Sequence, residues 1–156
     1  MTMKNLKRIV VGFDFSIFSS RVLEYAASIA ERNMAELIIV SVIEQQEIDY
    51  IKTVCEQTDS ETITLEKYID DETRKRTHNA ENMIRELVPK IVQTRIIIMI
   101  GVPYEEILKV VDTEKADLVI MSSKSRTNFH DYMFGTTSEK TFRHCPVSVL
   151  SLNLSK

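Results

Sequence analysis

The stretch Asp117–Cys145, DLVIMSSKSRTNFHDYMFGTTSEKTFRHC, decides how this chain folds. It opens with an apolar segment, continues through a polar loop, and reaches Gly135-Thr136, where a helical pattern begins. A strand, a loop and a helix N-terminus in this order form a common phosphate site, because the first amides of a helix have no partner within it. The loop carries serine where such sites generally use glycine, so the stretch alone leaves open whether an anion is held.

Five apolar segments of strand length run along the chain. The middle ones are continuous rather than alternating, which is typical of strands covered on both faces of a parallel sheet. Because helical patterns separate them, their order predicts a doubly wound α/β fold with right-handed crossovers. The predicted strands are Arg8–Phe13, Leu37–Ile43, Arg95–Ile100, Leu118–Met121 and Val147–Leu152.

Four helices are predicted between these strands. Asn33 is expected to end the first predicted helix by adopting the left-handed conformation. Pro103 stands in the first turn of the third predicted helix. The acidic segment Glu44–Asp71 has no clear period, and we interpret it as a variable excursion that extends the second helix at its start. The predicted helices are Ser19–Arg32, a stripe from Ala80 to Val88, Pro103–Lys115 and Thr136–His144.

The composition is that of a soluble globular protein. A length of 156 residues predicts a single domain over residues 1–156, with 44% hydrophobic and 28% charged residues. The net charge of -3 implies no basic face for nucleic acid, and no apolar run approaches the roughly 20 residues of a membrane span. Neither a signal-peptide pattern nor a cysteine cluster occurs, so we expect a cytoplasmic protein.

Two loops are expected to meet at the ligand site, because ligands of open α/β sheets collect beyond the carboxyl ends of the strands. The first loop carries Asp14, whose carboxylate could bind a base or ribose. Alternatively, Asp14 or Ser16 caps the first helix. The second loop runs from Ser122 to Gly135.

The helix that follows the second loop allows two interpretations. Thr136-x-x-Glu139 fits a capping box, which would satisfy two helix amides internally. The first-turn amides and the positive helix end could instead hold an anion, with added positive charge from Lys124 and Arg126.

No motif of a catalytic site is found. The chain lacks Gly-x-Gly-x-x-Gly, the Walker-type phosphate loop and the Gly-x-Ser-x-Gly elbow. His78, His130 and His144 have no metal-ligand spacing. We therefore expect no catalytic residue and no metal site.

The segments RIVVGFDFS, VLEYAASIAERNMAELIIVSVI, GVPYEEILKVVDTEKADLVIMS and FGTTSEKTFRHCPVSVL together resemble the universal stress protein family along nearly the whole chain. The resemblance implies a Rossmann-like, five-stranded parallel sheet of the adenine-nucleotide-binding type, with strand order 3-2-1-4-5 and helices on both faces. It also implies a cytoplasmic role in stress response or regulation, and usually a homodimer.

Some members of this family bind ATP through Gly-x-x-Gly, nine residues, and then Gly-Ser/Thr. Ser122 and Ser125 stand in place of the first two glycines, while Gly135-Thr136 keeps the last pair at the same spacing. Holding serine in the left-handed conformation that glycine permits would cost about 1 kcal/mol, which weakens binding by roughly tenfold or less. By position, Asp14 and Val42 would lie on the adenine side.

Three functions follow from the resemblance. The first is a regulatory homodimer with a degenerate nucleotide pocket, acting through protein contacts and paired at the uncharged edge strand Val147–Leu152. The second is an ATP- or AMP-binding protein, with Mg in the case of ATP, and the third is a slow ATP hydrolase. The candidate nucleotide-binding residues are Asp14, Val42, Ser122, Ser125, Arg126, Gly135 and Thr136.

Overall fold

A computed structural model describes residues 5–58, 64–124 and 135–154 of the chain. Its strands are β1 (Arg8–Gly12), β2 (Glu36–Glu44), β3 (Thr94–Gly101), β4 (Leu118–Ser122) and β5 (Ser148–Leu152). They form a parallel five-stranded sheet of order β3-β2-β1-β4-β5, which confirms the predicted fold class and strand order. Across the described ranges, no helix combines the length and the apolar character needed to cross a membrane.

The four predicted helices are present, together with one that the prediction lacked. The helices are α1 (Ser19–Asn33), α2 (Gln45–Gln57), α3 (Leu65–Leu87), α4 (Pro103–Thr113) and α5 (Thr136–His144). The segment Glu44–Asp71 does extend the second predicted helix, since α3 begins at Leu65 after the Thr64 cap. It also holds the separate helix α2, which the prediction of four helices lacked.

The core lies on both faces of the sheet, as the continuous apolar strands predicted. The central residues Ile9, Val10 and Val11 of β1 are fully buried. Helices α1 and α3 cover one face, and α4 covers the other with α5 packed beside it. Burial of whole apolar strands between two helical layers supplies the main stabilisation of such a fold.

The helix ends agree with prediction at one point and differ at another. Pro103 stands in the first turn of α4, as expected. The left-handed residue after α1 is Met34, with φ 51°, and not Asn33. Asn33 is the last helical residue, and its side-chain amide donates to the Ile29 carbonyl at 2.8 Å. A residue that bonds back to its own helix in this way has no need to adopt the cap conformation itself.

Strand lengths create the space for a site. β1 pairs with β2 from Arg8↔Glu36 to Gly12↔Val40, whereas β2 continues to Glu44. β1 also pairs with β4, so the strand order reverses between these two strands. The carboxyl edge of the sheet at this reversal is where doubly wound folds bind ligands.

Candidate functional site

A cavity of about 300 Å³ lies at this carboxyl edge. That volume is at the small end of the range for ligand pockets, roughly 300–1,000 Å³. Asp14, Val42 and Ser122 line it, so the structure brings these three predicted residues together. Further lining residues are Gly12, Phe13, Ser16, Ser19, Val22, Val40, Glu44, Glu47, Arg76, Pro103, Ile107, Met121, Lys124, Thr137 and Ser138.

Asp14 organises the turn that follows β1. Its Oδ1 accepts a hydrogen bond from the Ser16 amide at 2.9 Å and another from the Ser19 hydroxyl at 3.2 Å. The N-cap of α1 is Phe18, which makes no side-chain cap bond, so the prediction that Asp14 or Ser16 caps the helix was wrong. Because the contacts among the described residues engage only Oδ1, the second carboxylate oxygen keeps its acceptor capacity.

Backbone strain in this turn falls on Phe15. Its φ is 57°, a conformation that costs a non-glycine residue energy. The Phe15 ring packs edge-on against Phe13 with the ring centroids 4.9 Å apart, and such a pair compensates part of that cost. The turn therefore holds Asp14 at the rim of the sheet.

Short hydrogen bonds join the start of α5 to the end of β4. The Gly135 amide donates to the Ser123 carbonyl at 2.7 Å, and the buried Ser138 hydroxyl donates to the Ser122 carbonyl at 2.5 Å. The Ser122 hydroxyl accepts from the Lys124 amide at 3.1 Å. The bonds from Gly135 and Ser138 hold the first turn of α5 against the end of β4.

The first turn of α5 is arranged differently from the predicted capping box. Gly135 is the N-cap and makes no side-chain cap bond, while Glu139 pairs with Arg143 at 2.9 Å. The prediction of a Thr136-x-x-Glu139 capping box was therefore wrong. No capping side chain thus takes the first-turn amides among the described residues, and a ligand can use them.

The cavity-lining residues of this turn are Thr137 and Ser138 rather than Gly135 and Thr136. The sequence pattern pointed to the same turn, and ligand binding by Gly135 and Thr136 stays a prediction. The helical period groups the residues of α5 by face, but only the packing of the helix shows which face borders the cavity.

Ser122 departs from expectation in its backbone conformation. Positive φ among the described non-glycine residues occurs at Phe15, Met34 and Lys115, and not at Ser122. The expected strain from serine in a left-handed conformation is therefore absent at this position. Ser125 and Arg126, the two remaining candidate residues, lie outside the described residues.

The opposite end of the cavity carries a charged network that the sequence prediction missed. Arg76 of α3 is only 5% exposed. Its Nε donates to Glu72 Oε1 at 2.8 Å, and its Nη2 lies 3.5 Å from Glu47 Oε2 on α2. Its Nη1 donates to the Ser41 hydroxyl at 3.1 Å and to the Val42 carbonyl at 2.9 Å. Arg76 therefore links both helices of the Glu44–Asp71 region to the end of β2.

Tyr68 extends this network towards solvent. Its hydroxyl donates to Glu47 Oε1. Partial burial, together with this bond and the charge of Glu47, raises the pKa of Tyr68 to about 12. The phenol therefore stays protonated, and remains a donor, throughout the physiological range.

Among the described residues, the remaining candidate groups form no reactive arrangement; His130 lies outside the described residues. Partial burial raises the pKa of the Cys145 thiol, so it is poorly suited to act as a nucleophile. Across residues 5–58, 64–124 and 135–154, no group of three or more metal-ligating side chains is found.

Residues 5–152 match the model of the universal stress protein family. The chain belongs to the universal stress protein family. Among curated relatives, universal stress protein MJ0577 of Methanocaldococcus jannaschii is 27% identical over 150 residues, covering 92% of this chain and 93% of the relative.

Solved structures of the family share the fold. The MJ0577 structure superposes with a TM-score of 0.81 at 23% identity, covering 98% of this chain and 99% of that one. A universal stress protein in complex with cAMP gives 0.65 at 18% identity, covering 97% and 100%. The Archaeoglobus fulgidus protein in complex with dAMP gives 0.62 at 16% identity, covering 95% and 98%. Two of these solved structures therefore hold an adenine nucleotide, cAMP in one and dAMP in the other.

Proposed function

We propose that this universal stress protein is a regulatory protein that binds a purine mononucleotide in the cavity between β1 and β4. The observation that carries the proposal is the set of polar groups that line this cavity. Among the described residues, three features border the same space of about 300 Å³. They are a helix N-terminus without a capping side chain, the second carboxylate oxygen of Asp14, and the part of β2 that extends past β1. The cAMP and dAMP complexes of two family members support this choice of ligand class.

The phosphate belongs at the α5 end. The first-turn amides of α5 carry the positive end of the helix dipole, which attracts anions. The Thr137 hydroxyl lines the cavity there beside Ser138, whose own proton is donated to the Ser122 carbonyl, and Lys124 borders the same end. Hydroxyl and amide donors beside an ammonium group are the partners that phosphate oxygens require.

The ribose and base belong at the other end. Asp14 lies at the end of β1, where its second carboxylate oxygen can accept from a ribose hydroxyl. Beyond it, β2 runs past the last β1 pair, so the backbone around Val42 borders the cavity. A flat base can lie along this strand edge, between Val42 and the apolar side chain of Ile107.

The cavity also bears on the alternative of a degenerate pocket. That alternative rests on serine in place of glycine at two positions. Ser122 takes no positive φ, so its side chain adds bulk without backbone strain. A regulatory role exercised only through protein contacts is therefore the second candidate, and slow ATP hydrolysis is the third.

We propose further that the protein is a homodimer through β5. This strand is an edge of the sheet, and no charged side chain occurs in Ser148–Leu152. Edge strands of this kind are generally paired or covered, and antiparallel pairing with a second copy is a two-fold solution. Sedimentation at micromolar concentration tests this, and a monomer there would contradict it.

Calorimetric titration with AMP, and with ATP in the presence and absence of magnesium, tests nucleotide binding. Asp14→Asn keeps an acceptor for the Ser16 amide but removes the charge, and we expect it to weaken binding by about tenfold. Asp112→Asn is the matched control, because that side chain is 80% exposed on α4 and lies outside the cavity. Absence of binding at millimolar nucleotide would refute the proposal and leave the protein-contact alternative. ATP turnover that is unchanged by Asp14→Asn at subsaturating ATP would indicate contamination rather than hydrolysis at this site.

A further inference from the structure

β3 forms the edge of the sheet opposite β5. Among the described residues it pairs with β2 alone, so the backbone groups that face away from β2 have no strand partner there. All eight residues of β3 pair in continuous register with β2, so no bulge turns this edge away. The strand contains no proline, and Arg95 is its one charged residue. Natural proteins generally protect edge strands by such features, and a long edge without them is a surface for pairing with another strand.

The side chains of β3 are apolar but incompletely covered. Ile96 packs on the core cluster beneath α1 and α3, whereas Ile97 and Met99 pack on the cluster beneath α4. None of the three is fully buried, in contrast to the central residues of β1. Ile100 is 40% exposed, and Val102, directly after the strand, is 38% exposed. Contiguous apolar exposure of this kind marks a surface that another protein covers.

A groove of about 460 Å³ opens beside the first half of β3, between this strand and α3. Ile84 of α3 and Ile96 of β3 supply the apolar part of its lining. Ile96 lies on the α3 face of the sheet, and the alternation of a strand places Ile98 and Ile100 on the same face. The groove and the exposed Ile100 side chain therefore lie on one face, at opposite ends of the same edge.

A second copy of β3 is complementary to this edge. Antiparallel pairing about a two-fold axis perpendicular to the sheet keeps the α3 face of both copies on the same side. With the axis at Ile98, Ile100 of each copy lies directly opposite Ile96 of the other. Each Ile100 side chain then enters the groove beside Ile96, so each copy covers the residue that the other leaves exposed.

The charges at the two ends of β3 favour the antiparallel direction. Lys90 lies in the turn before the strand, while Glu44 pairs with its last residue and Glu105 follows in the first turn of α4. All three side chains are exposed. Antiparallel pairing brings the basic start of one strand towards the acidic end of the other at both ends of the contact. Parallel pairing would bring like charges together, which is unfavourable.

We propose that β3 is a second self-association surface, at which two copies of the chain pair antiparallel. This contact is separate from the nucleotide cavity and from the β5 contact proposed above. A chain that pairs at both edges assembles beyond the dimer, because each two-fold contact leaves the other edge of the sheet free.

Sedimentation velocity over a series from micromolar to submillimolar concentration tests the proposal. The unaltered protein should reach masses above that of a dimer. Ile100→Lys should raise the dissociation constant at β3 by about tenfold or more and stop assembly at the β5 dimer, because pairing would bury an unpaired ammonium group. The exposure of Ile100 should leave the fold intact, which circular dichroism checks. Ile17→Lys is the matched control, since Ile17 is 83% exposed in the turn before α1, and it should assemble like the unaltered protein.

Val149→Lys on β5 separates the two edges. It should leave a dimer through β3, and its combination with Ile100→Lys should give a monomer. Should Val149→Lys fail to fold, Ser148→Lys replaces it at an exposed position of the same strand.

The outcomes distinguish the two contacts. Assembly of Ile100→Lys that equals assembly of the unaltered protein would overturn the β3 contact and leave the β5 proposal intact. An unaltered protein that is a dimer, and that Ile100→Lys converts to a monomer, would support the β3 contact and refute the β5 contact. A monomer at every concentration would overturn both.

Discussion

The two ends of the cavity are held together by different kinds of interaction. At the α5 end, neutral hydrogen bonds of 2.5 and 2.7 Å from the Ser138 hydroxyl and the Gly135 amide fasten a helix N-terminus to the end of β4. At the Arg76 end, a buried guanidinium joins two helices and a strand through Glu47 and Glu72. The first end presents a positive dipole, whereas the second carries more carboxylates than cations. Under the proposed function, this difference would orient the nucleotide with its phosphate towards the positive end of α5.

The largest effect on stability is expected from a substitution in the charged network at the Arg76 end of the cavity. Arg76→Met leaves Glu72 and Glu47 without their shared cation and should lower the free energy of unfolding by about 2–3 kcal/mol. Breaking a fully buried pair costs about 3–5 kcal/mol, and the partial exposure of both carboxylates reduces that figure. Urea denaturation measures the change. Arg143→Met on α5 removes only an exposed pair with Glu139 and should cost less than about 0.5 kcal/mol. Similar losses in the two variants would show that the network contributes no more than a surface pair.

The neutral end should respond less strongly. Ser138→Ala removes the donor to the Ser122 carbonyl and should cost about 1 kcal/mol, the usual value for a buried neutral hydrogen bond. Thr136→Ala, at an exposed position in the same turn, is the control for helix propensity. Denaturation curves that show equal effects for both variants would argue that the Ser138 bond does not fasten α5 to β4.

The difference between the two ends also explains how far the sequence could predict them. The α5 end is built from a strand, a loop spacing and a helix start that follow one another in the chain. Those features were readable, and Ser122 indeed lines the cavity. Arg76 contacts Ser41 and Val42, which lie 35 and 34 positions earlier in the chain. No hydrophobic pattern in the sequence indicates such a contact of a charged side chain. An i, i+4 pair of Glu72 and Arg76 in a charged helix has the same pattern as a solvated surface pair.

The fold was predictable for a related reason. Continuous apolar strands that alternate with amphipathic helices allow few other arrangements, and the family resemblance supplied the strand order. Helix α2 was missed although Ile48, Ile51, Val54 and Cys55 recur along it at helical spacing. Among these only Ile48 is buried, and the polar and acidic residues around this short stripe hid it in the sequence. The position of α2 became visible only through Glu47, which contacts Arg76.

A smaller effect sharpens the comparison at the α5 end. Ser122→Gly introduces the first glycine of the Gly-x-x-Gly pattern described above. The change relieves no positive φ, because Ser122 has none. We expect the free energy of unfolding to fall by about 0.5–1 kcal/mol, the cost of glycine within a strand. Nucleotide affinity, measured by calorimetry, should change by less than about threefold. A gain of tenfold or more would show that the serine side chain itself obstructs the phosphate.

The smallest effect belongs to Tyr68, at the outer margin of the ionic end. Its folded pKa of about 12 is above the ordinary value of 10, so the folded state favours the neutral phenol. A raised folded pKa contributes stability that is fully present below pH 10 and is lost as the pH rises towards 12. Tyr68→Phe should therefore be less stable than the unaltered protein by about 0.5 kcal/mol at neutral pH, a low value because the hydroxyl is only partly buried. The difference should shrink between pH 10 and pH 12 in urea denaturation. A difference that stays constant across this interval would show that the bond to Glu47 does not favour the protonated phenol, and that the network ends at Glu47.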